Sequence, residues 1–155
     1  MVKKKITQFS LGLLMIGLLS SFTYIQLKDD PIMITWKMLS DVSFEDMYIE
    51  ELDAYYWKPE FGQQVKNLEG KEVYITGYMI PVEVEENFYV LSRYPFANCF
   101  FCGGAGPESI VDLRFKPGSG RAYKTDERLT FKGKLKLNSD DVYQMNYILE
   151  NAVEM

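Results

Sequence analysis

Histidine is absent from this 155-residue chain. That removes the commonest metal ligand and the usual acid–base group near neutral pH. A reaction would have to run on carboxylates, thiols, lysine or tyrosine. The G-x-S-x-G elbow, the Walker phosphate loop and the H-E-x-x-H pair are also missing. No pair of acids stands at a spacing that suggests a general base. The chain is therefore read as a non-enzyme. Acidic residues are missing from the first 28 positions, Asp29 being the first. Cysteine is scarce: there are two, and both fall in "NCFFCGGAGPES", residues 98–109.

Beyond residue 28 acids outnumber bases, and the whole chain carries a net charge of −5. Such a surface is poorly suited to phosphate backbones, which need clustered Lys and Arg, so nucleic acid is excluded as a partner. Hydrophobic residues make up 47% of the chain, enough for a real core. Aromatics stand at 15%, with eleven Tyr and ten Phe. Aromatic residues fit half-buried pleated surfaces, which tilts the expectation toward β structure.

The amino-terminal residues are "MVKKKITQFSLGLLMIGLLSSFTYIQLKDD". Lys3, Lys4 and Lys5 precede a mainly apolar run over residues 6–27. That run is long enough for a helix across a bilayer core of about 30 Å. Under the positive-inside rule the basic end stays in the cytoplasm and the rest lies outside. The strongest apolar centre, residues 11–19, has signal-peptide length, but no A-x-A site follows it. Residues 1–28 are read as an uncleaved signal anchor inserted in the inner membrane through 6–27, with a cleaved signal peptide as the alternative. The domain then faces the periplasm, tethered in the first case and free in the second.

Residues 29–41 read as a linker, with Trp36 and Leu39 placed to pin it to the domain. Residues 42–155 form that domain. Val42 and Phe44 alternate as in a strand, although the acids around them suit a helix equally well. Pro59 is expected to end the segment it sits in. A short helical turn through Val65 and Leu68 should close at Gly70.

From there five strands can be read. "KEVYITGYMIPVEV" alternates Val73, Ile75 and Gly77 against Tyr74, Thr76 and Tyr78, with an interior glycine that marks a bend. "NFYVLSRY" and "SIVDLRFK" follow. "RLTFKGKLKLN" puts Leu129, Phe131, Gly133, Leu135 and Leu137 on one face. "YQMNYILENAVEM" points Tyr147, Leu149 and Val153 inward. "KPGSGRAYKTDE" between the third and fourth strands reads as a mobile loop. Glycines inside strands let a barrel turn its corners. The expected class is mainly β: a small five-stranded barrel of OB type preceded by the amino-terminal helix.

"LEGKEVYITGYMIPVE", a strand, a cysteine loop, "LTFKGKLKLN" and "YILENAVEM" together resemble a family of exported bacterial domains of unknown function. The resemblance covers roughly residues 36–155. It is carried most specifically by Gly70-Lys71, by Gly77-Tyr78-Met79-Ile80-Pro81 and by Cys99-Phe100-Phe101-Cys102-Gly103. Many relatives carry one Cys followed by His and a proline-rich run, whereas this chain has a second Cys and no His. What the resemblance implies is an OB-like fold, an envelope location and a partner among envelope proteins, transport systems included.

The cysteine loop admits three readings. Cys99 and Cys102, with Glu108 or Asp112 as a third ligand and Met79 as a soft sulfur, make half of a zinc or copper site. The C-x-x-C spacing also suits thiol–disulfide exchange, but Phe100, Phe101 and the following glycines do not start the helix that such a site uses. The third reading is a small disulfide between Cys99 and Cys102, fixing a rigid surface loop. In that loop Phe100 and Phe101 would be displayed, and Gly103, Gly104 and Gly106 would permit its turns. The leading expectation is an envelope accessory domain that presents this loop to a partner or ligand. Soft-metal handling and thiol redox stand as alternatives. Glu83, Glu85 and Glu86 read as a solvated turn. Tyr55-Tyr56-Trp57 are read as half core and half surface, with stacking on a ligand the functional alternative.

Overall fold

The computed structural model describes residues 30–83 and 87–155. The expected leader at 1–28, and Glu85 and Glu86 of the acidic turn, lie outside the described residues. Among the described residues no helix is long and apolar enough to cross a membrane.

The chain is mainly β and closes a five-stranded barrel. Its strands are β4 (Glu72–Glu83), β5 (Phe88–Ser92), β6 (Ile110–Phe115), β7 (Arg128–Leu137) and β8 (Tyr147–Glu154). Around the barrel the order is β4-β5-β6-β8-β7, and β7 returns to pair with β4. Every neighbouring pair is antiparallel except β6 and β8, which run parallel.

Closure depends on β4 serving two neighbours in turn. Its first half pairs β7 from Glu72↔Lys134 to Tyr78↔Arg128, and its second half pairs β5 from Tyr78↔Ser92 onward. The strand turns between them at Gly77. A Cβ there would stand 2.6 Å from the Ser92 carbonyl oxygen and 2.9 Å from the Trp36 ring. On β7, a Cβ at Gly133 would stand 2.7 Å from the Glu150 carbonyl oxygen. The interior glycines expected to mark bends are thus places where strands and rings come too close for any side chain.

Val73, Ile75 and Met79 of β4 point inward with Phe131 and Leu135 of β7, all essentially without exposure. On β8 the inward residues are Tyr147, Leu149 and Ala152, not Val153. Asn151 adopts φ 53, and the pairing slips between Arg114 and Phe115 on β6 and between Lys132 and Lys134 on β7. One extra residue in the strand moves the inward set by one position.

The segment before the barrel packs onto it. β1 (Ile32–Met33) pairs parallel with Val73 and Tyr74 of β4, and helix α1 (Trp36–Leu39) follows. Thr35 caps α1, its side-chain oxygen accepting from the Met38 amide. The Trp36 indole donates to the Thr76 carbonyl at 2.8 Å, and Leu39 is wholly buried. Trp36 and Leu39 therefore do the pinning that their positions suggest.

β2 (Val42–Ile49) and β3 (Ala54–Phe61) form a two-stranded ribbon separate from the barrel sheet. The ambiguous stretch after residue 41 is thus a strand, and Pro59 does not end its segment: it pairs with Phe44 inside the ribbon. A two-stranded ribbon has only edge strands, where the missing amide hydrogen can face outward. Helix α2 (Gln63–Lys66) then buries Val65, with Leu68 just beyond it.

The stretch 116–127, expected to be a mobile loop, is anchored. Tyr123 is buried with its ring centroid 5.3 Å from that of Tyr89 and 5.5 Å from that of Phe115. Arg121 stacks over Tyr123 at 4.2 Å and bridges Glu127 and Glu154. One aromatic anchor and one bridging guanidinium outweigh the glycine-rich composition that suggested mobility.

Candidate functional site

The loop between β5 and β6 is a chain of three 3₁₀ turns, Phe96–Asn98, Phe100–Cys102 and Pro107–Ser109. The Cys102 and Gly104 amides both donate to the Cys99 carbonyl, at 3.1 and 3.2 Å. This curls the chain so that the two sulfurs meet. Both thiols are free; Cys99 is buried and Cys102 exposed. Local desolvation, then the neighbouring Cys99 sulfur and the hydrogen bond to it, push the Cys102 thiol above its ordinary pKa. That is opposite to the depressed pKa of an activated redox nucleophile. The loop is tied to the barrel by the Phe96 amide, which donates to Asp126 Oδ1 at 2.7 Å.

Cys99 and Cys102 are brought together, but their proposed co-ligands are not. Among the described residues no three His, Cys, Asp or Glu side chains are grouped closely enough to hold a metal ion. Glu108 folds back over Gly106, close enough that a Cβ there would lie within 2.2 Å of its carboxylate. Asp112 bonds Arg114 instead, and Met79 belongs to the barrel core. Gly103 and Gly104 are exposed, Gly106 is half-buried, and Phe101 is 44% exposed with its ring against Phe100.

Phe100 turns the other way and lines a cleft of about 590 Å³, within the range of small-molecule sites. The cleft was not legible as a unit in the sequence. Its floor comes from β6, where alternation sends Val111 and Leu113 into the core and leaves Ile110, Asp112 and Arg114 facing outward. One wall is Tyr55, Tyr56 and Trp57 of β3. The opposite wall is the β7–β8 loop from Val142 to Asn146. Phe100 and Pro107 of the cysteine loop complete the rim.

The β7–β8 wall is held rigidly. Asn138 Nδ2 donates to the Asp141 and Gln144 carbonyls at 2.7 and 3.1 Å, and its Oδ1 accepts from the Asp141 amide at 3.0 Å. Asp141 Oδ1 accepts from the Tyr143 amide at 3.0 Å, and its Oδ2 accepts from the Gln144 side-chain amide. Asp140-Asp141, read from sequence as a turn signal, thus stiffens one side of the site.

On the floor, Arg114 Nε donates to Asp112 Oδ2 at 3.1 Å and Nη2 donates to Gln144 Oε1 at 2.8 Å. Asp112 is 7% exposed. Burial raises its carboxyl pKa, and the hydrogen bond and charge of Arg114 offset part of that rise. The Tyr56 hydroxyl is shielded from water and has no hydrogen-bond partner. Burial, then the charges of Asp140 and Asp141, raise its pKa. Tyr55 and Tyr143 stand 73% and 81% exposed at the mouth. These groups can stack, donate and accept; they do not form a nucleophile–base pair.

Comparison of the chain with protein-family models, with curated proteins and with solved structures finds no match.

Proposed function

We propose that this chain is an exported binding module of OB type, tethered to the inner membrane, whose ligand sits in the cleft walled by β3, β6, the β7–β8 loop and the cysteine loop. The barrel order, with its one parallel pair between the third and fifth strands, supports the OB assignment. In that fold the face of the second and third strands, with the neighbouring loops, is the usual binding surface. Here those strands are β5 and β6. The lysine-led apolar run at the amino terminus supports export, as does the resemblance to exported domains. The same resemblance motivates an envelope protein as the tethered module's partner.

The observation that carries the reading is convergence. Three stretches far apart in sequence, β3, the cysteine loop with the β6 it runs into, and the β7–β8 loop, deliver aromatic and polar side chains to one concave surface. Phe100 gives the cysteine loop its part in it: the backbone bonds to the Cys99 carbonyl shape the turn that presents this ring.

Site-specific photocrosslinking in the full chain tests it. A probe at position 55, 100 or 143 is expected to yield a shared adduct that is absent when the probe is at position 66. Adducts indistinguishable from those at position 66 overturn it. External protease acting on spheroplasts is expected to digest residues beyond 30. Full protection there removes the export half of the proposal.

The turn that holds Cys99 and Cys102 together, with both thiols free, supports a second reading, in which the pair cycles between dithiol and disulfide. A thiol-exchange assay with no turnover above that of a free dithiol ends it.

A further inference from the structure

The chemistry of the cleft lining narrows the ligand class, given the reading that the cleft is a binding site. Among its lining residues only Asp112 and Arg114 carry charge. Arg114 is already held by Asp112 and Gln144. Asp140 and Asp141 do not line the cleft, and the Asp141 carboxylate is taken up by the Tyr143 amide and the Gln144 side chain. Among the lining residues, then, one carboxylate and one guanidinium balance, and the second oxygen of Asp112 is left to face the cleft. An anionic ligand would have to compete with Asp112 for Arg114, the one cationic side chain of the lining.

The aromatic rings carry a second, independent preference. Tyr55, Trp57 and Tyr143 are held at the mouth with large exposed areas, 73%, 49% and 81%. The negative face of such a ring attracts a positive charge seated over it. A purely apolar ligand would leave the Tyr56 hydroxyl buried and still without a hydrogen-bond partner, which is costly.

We propose that the cleft receives an organic cation, an ammonium group seated among Tyr55, Trp57 and Tyr143 with the Asp112 carboxylate beneath it. The 590 Å³ volume admits a small molecule rather than a lone ion. Rings and carboxylate divide the work. The rings favour a methylated, weakly hydrated head, and Asp112 favours one that retains N–H donors.

Calorimetry and ligand-observed NMR on the full chain test this with choline as the quaternary probe and spermidine as the primary-amine probe. N-acetylglucosamine serves as the neutral control and inorganic phosphate as the anionic one. Saturable binding of at least one cation is expected, with ring-current shifts on its methyl or methylene protons. Tyr143→Ala and Trp57→Ala should each weaken it by about 3- to 10-fold. Tyr143 is so exposed that its removal leaves the fold intact, and Asp112→Asn should weaken binding by tenfold or more. Choline bound more tightly than spermidine assigns a quaternary head; the reverse order assigns a polyamine or another primary amine. Cation binding indifferent to both Tyr143→Ala and Asp112→Asn overturns the proposal. So does N-acetylglucosamine or phosphate binding as tightly as either cation, although a control lost on Tyr143→Ala would leave the cleft standing as a site. Failure of the photocrosslinking pattern removes the cleft itself.

Discussion

The hydroxyl of Tyr147 donates to the carbonyl of Leu39 at 2.6 Å, a buried bond between residues 108 apart in sequence. It joins the last strand of the barrel to the helix that precedes the first. Burial, then the charges of Glu108 and Asp41, push the Tyr147 phenol far above its ordinary pKa, so it remains a donor. Tyr147→Phe keeps the ring and strands the Leu39 carbonyl. A loss of about 1–3 kcal/mol is expected. Urea unfolding should show a lower midpoint at unchanged slope, and an unchanged midpoint would mean that the bond contributes nothing.

The bend of β4 leads to a second expectation. At Gly77 the nearest atom to an added Cβ is a backbone oxygen on β5, which cannot swing aside. Gly77→Ala should cost about 1–3 kcal/mol through overpacking. It should also alter the near-ultraviolet signal of Trp36, whose ring lies 2.9 Å from the same point. A variant as stable as the parent would mean that β4 and β5 can part without penalty.

Arg121 predicts an acid dependence. It meets Glu127 at 2.9 Å and Glu154 at 2.8 Å, and its hydrogen bonds lower both carboxyl pKa values. A carboxyl depressed in the folded state adds stability above its unfolded pKa, and that gain is lost as pH falls through the folded value. Arg121→Met should therefore lower the melting temperature near pH 7, and the gap from the parent should close below roughly pH 4. Asp112 has the opposite sign, since burial raises its carboxyl and protonation relieves the penalty. The comparison is thus between variant and parent at each pH. A gap that persists in acid would show that Arg121 acts through its stacking on Tyr123.

The thiols should differ in reactivity. Cys102 is exposed and Cys99 buried. Iodoacetamide on the folded protein should label Cys102 alone, more slowly than free cysteine because its thiol is the less acidic, and faster as pH rises. Mild oxidation with glutathione disulfide should then remove two hydrogens and block labelling. The closed ring is small, so the added stability should not exceed roughly 2 kcal/mol. Equal labelling of both sulfurs would contradict the burial of Cys99.

The barrel strands were legible because their inward positions recur every second residue, as in Val73-Ile75-Gly77 and Phe131-Gly133-Leu135. β8 departs from that rule where Asn151 takes a left-handed backbone angle and shifts Ala152 into the core. Asparagine is one of the few residues that does this cheaply, and it was the available signal. The ribbon was obscured because Glu45 and Asp46 interrupt its alternation, which a half-exposed strand tolerates. The anchoring of Tyr123 was hidden by its glycine-rich neighbours. Within the site, the cysteine loop and the Tyr55-Tyr56-Trp57 run were each visible, but their meeting depends on chain reversals that no local pattern encodes. Asp112 was visible only as an acid near the cysteines and Arg114 only as part of the third strand, and their pairing with Gln144 required the barrel to close.

Closure needs β8 as well as β4, since β8 pairs β6 on one side and β7 on the other. During synthesis the sheet stays open until residues 147–154 have been made. Contacts so distant in sequence also make for slow folding. A stop codon at 147 would leave β6 and β7 each with a bare edge, free to recruit the strands of other chains.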